Sequence, residues 1–106
     1  MPLKLYCLAS YEACLKKLGR HEKEIAGVII FGLLNYFTTQ RIASGSPYVF
    51  QYAHRSHRLV FKKLQGFIWE AYVEGDVRIL TRFENNSHYL VFAGNHDQVR
   101  EFLKEA

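Results

Sequence analysis

Residues 67–83, FIWEAYVEGDVRILTRF, constrain the fold more than any other stretch of the chain. Two runs of β-branched and aromatic residues flank Glu74-Gly75-Asp76, which is the pattern of a β-hairpin. With Val73 opposite Val77, Phe67, Trp69, Ala71, Val73, Val77, Ile79, Thr81 and Phe83 fall on one side of the ribbon, nearly all apolar. Glu70, Tyr72, Arg78 and Arg82 fall on the other. A slip of one residue would turn one strand over and bury Arg78 among hydrophobes, so this register is expected. The hairpin thus belongs to a sheet with one apolar face to pack and one charged face to present.

A chain of 106 residues is expected to form a single domain over residues 1–106, with one core and no need of staples. Apolar residues make up 49% and aromatics 15%, too many for a disordered chain. Cys7 and Cys14 match neither a disulfide framework nor a zinc or redox spacing, so a reducing, cytoplasmic setting is expected. No secretory leader is expected either, because Glu12 soon interrupts the short apolar run after Lys4. The net charge of +4 suits a partner carrying phosphates or carboxylates.

The first strand is expected within residues 3–8, followed by a helix over 11–18 with Ser10 as its N-cap and Gly19 as its stop. A second helix, about residues 22–40, carries Ile25, Val28, Ile29, Leu33, Tyr36 and Phe37 on one stripe. Ile30, Phe31 and Leu34 widen that stripe beyond what one sheet face requires, so the helix is either buried on two sides or meets a partner chain. Its apolar part, residues 25–37, is shorter than the ~20 residues of a membrane span, and no membrane association is expected.

Residues 43–47, Ala-Ser-Gly-Ser-Pro, break the helix and open a loop bearing Tyr48, Phe50, Tyr52, His54, Arg55, His57 and Arg58. Rings interleaved with basic groups suit single-stranded RNA, yet they equally suit a solvated loop whose aromatics rest on the core. His54 and His57 lack the Cys or carboxylate neighbours of a metal site, and no metal or organic cofactor is expected. Residues 59–64 lead into the hairpin. A turn at Glu84-Asn85-Asn86-Ser87, an interior strand over 89–93 and a short helix over 97–104 complete the chain. The expected fold is α+β, a small antiparallel sheet against a two-helix hairpin in the order β-α-α-β-β-β with a short C-terminal helix.

Four short motifs then follow in order: Lys63-Leu64-Gln65-Gly66, Ile68-Trp69-Glu70-Ala71, Val77-Arg78-Ile79, and Gly94-Asn95-His96-Asp97-Gln98-Val99. Together they resemble the RelE-like branch of the RelE/ParE superfamily of toxins, over the C-terminal half of the chain. The resemblance implies a type II toxin held by a cognate antitoxin and cleaving messenger RNA on the ribosome. By the same resemblance Arg78 stabilises the reacting phosphate and His96 acts as general acid or base. Glu70 acts as the base or pairs with Arg78 across the hairpin. Lys63 clamps substrate phosphate, with Lys62, Arg58, His57 and Arg82 as further binding candidates. Each also has a plain structural role open to it: Arg78 and Glu70 as an ordinary ion pair, His96 as a cap on the terminal turn. The resemblance leaves a gyrase-directed ParE-type toxin, a binding module of the same fold, and a homodimer open as alternatives.

Overall fold

The computed structural model describes residues 4–39 and 47–105. Strand β1 (Lys4–Cys7) is followed by helices α1 (Ala9–Lys17) and α2 (Arg20–Thr39). Strands β2 (Tyr48–Tyr52), β3 (Arg55–Gln65), β4 (Ile68–Tyr72), β5 (Arg78–Glu84) and β6 (Ser87–Gly94) come next, and α3 (His96–Glu105) ends the chain. The fold is α+β, but the sheet is larger than expected, with six strands in the order β1-β6-β5-β4-β3-β2. It is also mixed, because β1 pairs parallel to β6 while every other pairing is antiparallel. The stretch expected as a loop is the β2–β3 hairpin, and residues 59–64 lie inside the long strand β3. Most of the breaker expected at residues 43–47 lies outside the described residues.

The helices do not form the expected hairpin. Each takes the sheet as its main partner, α1 lying against β6 and α2 across β2 to β5. Ser10 is inside α1 rather than capping it: the Leu8 carbonyl receives the Tyr11 and Glu12 amides, and the Ser10 hydroxyl donates to the Val91 carbonyl. At the start of α2 the Glu22 carboxylate accepts from the Gly19 amide at 2.9 Å, one half of a capping box. Further along α2, a β-carbon at Gly32 would lie 2.7 Å from the Phe50 ring. Glycine is what allows the helix to lie so close to the sheet.

The hairpin register is the expected one, with Ala71 opposite Ile79 and Trp69 opposite Thr81. Ala71, Ile79, Leu59, Phe61 and Leu90 join Tyr11, Ile29, Leu33 and Phe37 of the helices in the main core. The opposite face divides in two. Leu80, Val91, Ile68 and Phe92 pack under Val99, Phe102 and Leu103 of α3, forming a second, smaller core. Toward β3 and β4 the same face carries Lys62, Glu70, Tyr72 and Arg78. A bulge at the Leu80/Thr81 step of the β5–β6 pairing leaves Val91 unpaired, which lets Val91 and Phe92 both serve the α3 side.

Candidate functional site

The site is built around a buried acid. Glu70 in the middle of β4 is only 6% exposed, on the face opposite the main core. Lys62 stands directly opposite on β3 with Nζ 4.0 Å from Oε1, and Arg78 Nε on β5 lies 3.8 Å from Oε2. These separations are too long for hydrogen bonds, so the attraction is coulombic and is strengthened by partial burial. Tyr72 completes the group. Its ring lies under the Arg78 guanidinium, 3.9 Å from ring centre to Cζ, with Lys62 Nζ at 5.7 Å.

The β4–β5 turn ties this group to its surroundings through consecutive residues. The Glu74 carboxylate is 3.7 Å from His57 Nδ1, the Gly75 carbonyl accepts from Arg78 Nη1 at 2.9 Å, and Asp76 Oδ1 accepts from the His96 amide at 3.3 Å. Gly75 has φ +78, a conformation that side chains rarely adopt, so the reversal that aligns these contacts calls for glycine. Arg78 is therefore held on three sides, by carboxylate, ring and carbonyl. Its Nη2 carries no protein partner among the described residues.

His96 is the first residue of α3, two residues beyond Gly94, which pairs with Arg78 across β5 and β6. Asn95 and Gln98 cap that helix reciprocally, each side-chain oxygen accepting the other's amide at 2.8 Å. The imidazole of His96 is thus not the cap; the residue is exposed, and its backbone amide lies beside the Asp76 turn. A guanidinium with one terminal nitrogen unengaged among the described residues can bind a phosphate group, and an exposed imidazole can exchange a proton.

The other candidates divide. Lys62 belongs to the cluster, and the strand alternation puts the exposed Arg58 on the same face. Arg82 shares that face four residues beyond Arg78, its Nε 3.3 Å from the Glu84 carboxylate. Lys63 pairs with Trp69 and points to the opposite side, away from Arg78. His57 also faces the main core, stacked on Phe50 at 5.6 Å, with Nδ1 buried and without a hydrogen bond. Tyr72 and Asp76, which sequence pattern did not single out for the site, are two of its holding groups. Their signal was only positional, in the alternation of β4 and the reversal after it.

A further buried titratable group lies on the inner face. His88 is boxed by Phe37, Phe61, Trp69 and Phe83 at 4.7 to 5.5 Å and shares a 2.8 Å hydrogen bond with Thr81 Oγ1. Burial pushes its pKa down to about 4. Compared with known proteins, the chain matches no family model and no curated sequence.

Proposed function

We propose that this chain is the toxin of a type II toxin–antitoxin pair, of the RelE-like branch, and that it cleaves messenger RNA on the ribosome. The observation that carries the proposal is the corner where Arg78, with one terminal nitrogen free, and the exposed His96 are joined through the Glu74-Gly75-Asp76 turn. RNA carries its own nucleophile in the 2′-hydroxyl, which attacks the adjacent phosphorus while the 5′-oxygen leaves. Arg78 would offset the charge that grows on the phosphate oxygens, and His96 would move a proton at the attacking or leaving oxygen. Lys62 and Arg58 would hold the strand, and Glu70 would orient Arg78 rather than act as the base, since it is buried between two cations. On α2, Phe31 and Leu34 remain 38% and 50% exposed, an apolar surface suited to the antitoxin.

One observation favours a second proposal, a binding module without catalysis. The Arg78 side chain is only 15% exposed and already engaged by Glu70, Tyr72 and Gly75. The test is controlled expression of the chain beside Arg78→Lys and His96→Ala at matched soluble levels, with growth followed and RNA 5′ ends mapped. Arrest with new cuts inside translated messages, lost in both variants, supports the nuclease. Arrest with intact messages and damaged DNA points to a gyrase poison, and unimpeded growth leaves the binding module.

A further inference from the structure

The alternation of the hairpin predicts Phe67 on the apolar face, yet Phe67 is 72% exposed, the highest value among the exposed large hydrophobic residues described. The cause is local. Gln65 pairs with Ile68, so Gly66 and Phe67 form a two-residue turn with Gly66 first at φ +52. Tight hairpin turns with glycine in that position leave the second residue outside the ladder. The Phe67 carbonyl still accepts from the Phe83 amide at 2.7 Å, which fixes the backbone, while the ring forms one wall of an open cavity of about 530 Å³. Arg82, Phe83, Glu84 and Asn85 form the rest.

We propose that this cleft binds a nucleobase of single-stranded RNA, with Phe67 as its stacking surface. The ligand class rests on the RNA-directed proposal above; the site itself is separate from the Arg78 corner. Arg78 and Arg82 are four residues apart on one strand, about 13 Å at strand rise, with Leu80 buried under α3 between them. The groups around the ring are those that distinguish a base from a simple apolar anchor. Asn85 is held at φ +52 in the β5–β6 turn, and its carboxamide has no hydrogen bond among the described residues, so both a donor and an acceptor are free. Arg82 Nε lies 3.3 Å from the Glu84 carboxylate, its terminal nitrogens carry no hydrogen bond among the described residues and can meet a phosphate, and the carboxylate can accept from an exocyclic amine. On the neighbouring strand the Tyr89 ring lies 5.9 Å from Arg82 Cζ and stacks on Tyr6 at 5.2 Å. A peptide anchor would need only the ring, whereas a base uses the ring face, the carboxamide and the guanidinium together.

The test is fluorescence anisotropy of a fluorescein-labelled, mixed-sequence single-stranded RNA oligonucleotide titrated with the full chain at low salt. Phe67→Ala should weaken binding about tenfold and Asn85→Ala by a few-fold, while Phe67→Tyr, which keeps the ring, should bind as the wild type does. Urea midpoints of the two Phe67 variants should match the wild type, since Phe67 is exposed, whereas that of Asn85→Ala should fall slightly because alanine is strained at φ +52. Unchanged binding by Phe67→Ala, or no binding by the wild type, overturns the proposal. Binding that depends on Phe67 in a chain that cuts no message leaves the cleft standing and removes the nuclease. Cutting that depends on Arg78 with unchanged Phe67→Ala binding does the reverse.

Discussion

Glu70 and His88 are both ionisable and both buried in the same sheet, at 6% and 2% exposure, but on opposite faces and kept there by opposite means. Glu70 lies between Lys62 and Arg78, so cations face it from both neighbouring strands. His88 has one hydroxyl partner and aromatic rings around it, and it is kept neutral. The difference separates a site from a core. A charge held by other charges leaves a polar corner that an ionic ligand can enter, whereas a neutral imidazole among rings is packing material that happens to titrate.

Arg78 is the neighbour on which Glu70 depends most. Arg78→Met leaves the buried Glu70 carboxylate with only the more exposed Lys62 at 4.0 Å and should cost about 4 kcal/mol in urea unfolding. The double variant Arg78→Met, Glu70→Leu should recover most of that loss, and strictly additive costs would mean that the two residues do not form a unit.

His88 gives the next largest effect, of about 3 kcal/mol, and shows it through pH. Its pKa is near 6.5 in the unfolded chain and about 4 when folded, so the unfolded state takes up the proton first as pH falls. Stability should therefore drop between pH 6.5 and 4 and level below that. Because surface carboxylates add their own slope, the measurement is the difference between wild type and His88→Leu across that range. A variant with the same pH slope as the wild type would show that His88 is not held neutral.

The outer face was the more legible of the two in sequence. The period-two pattern between Phe67 and Phe83 fixed the register, and with it the meeting of Glu70, Tyr72 and Arg78, because that pairing is local and its turn is short. The residues left off that face in a reading for charge, Ile68 and Leu80, are the ones α3 covers, which is why only half of it is charged. His88 gave no local signal, since its neighbours come from α2, β3, β4 and β5. The β2–β3 hairpin was hidden for a different reason: Ala53 and His54 form its turn at φ +50 and +64, where Asn or Gly is the usual mark. The parallel pairing of β1 with β6 joins the two ends of the chain, and nothing local specifies it.

Tyr72 contributes to the same group on a smaller scale. If the ring itself helps to hold Arg78, Tyr72→Phe should behave as the wild type and Tyr72→Leu should lose about 1 kcal/mol. In a variant that also carries Arg78→Met, the Tyr72→Leu loss should shrink. An equal loss with and without Arg78 would assign Tyr72 to packing alone.

The smallest effect separates two neighbours that sequence alone treated alike. Lys62 and Lys63 are adjacent, both basic, and both candidates for holding substrate, but strand alternation sends them to opposite faces. Lys62 meets Glu70 and the Tyr72 ring, while Lys63 stands opposite Trp69 on the side of the main core. Lys62 is 42% exposed, so solvent screening holds its contribution to about 0.5 kcal/mol, and Lys62→Ala should lose no more than that. Lys63→Ala should leave stability unchanged. The pair should diverge further in RNA cutting, where only Lys62 shares a face with Arg78. If Lys63→Ala reduces cutting as much as Lys62→Ala does, the substrate crosses the strand ends rather than lying along the charged face, and the Arg78 corner is not where it is held.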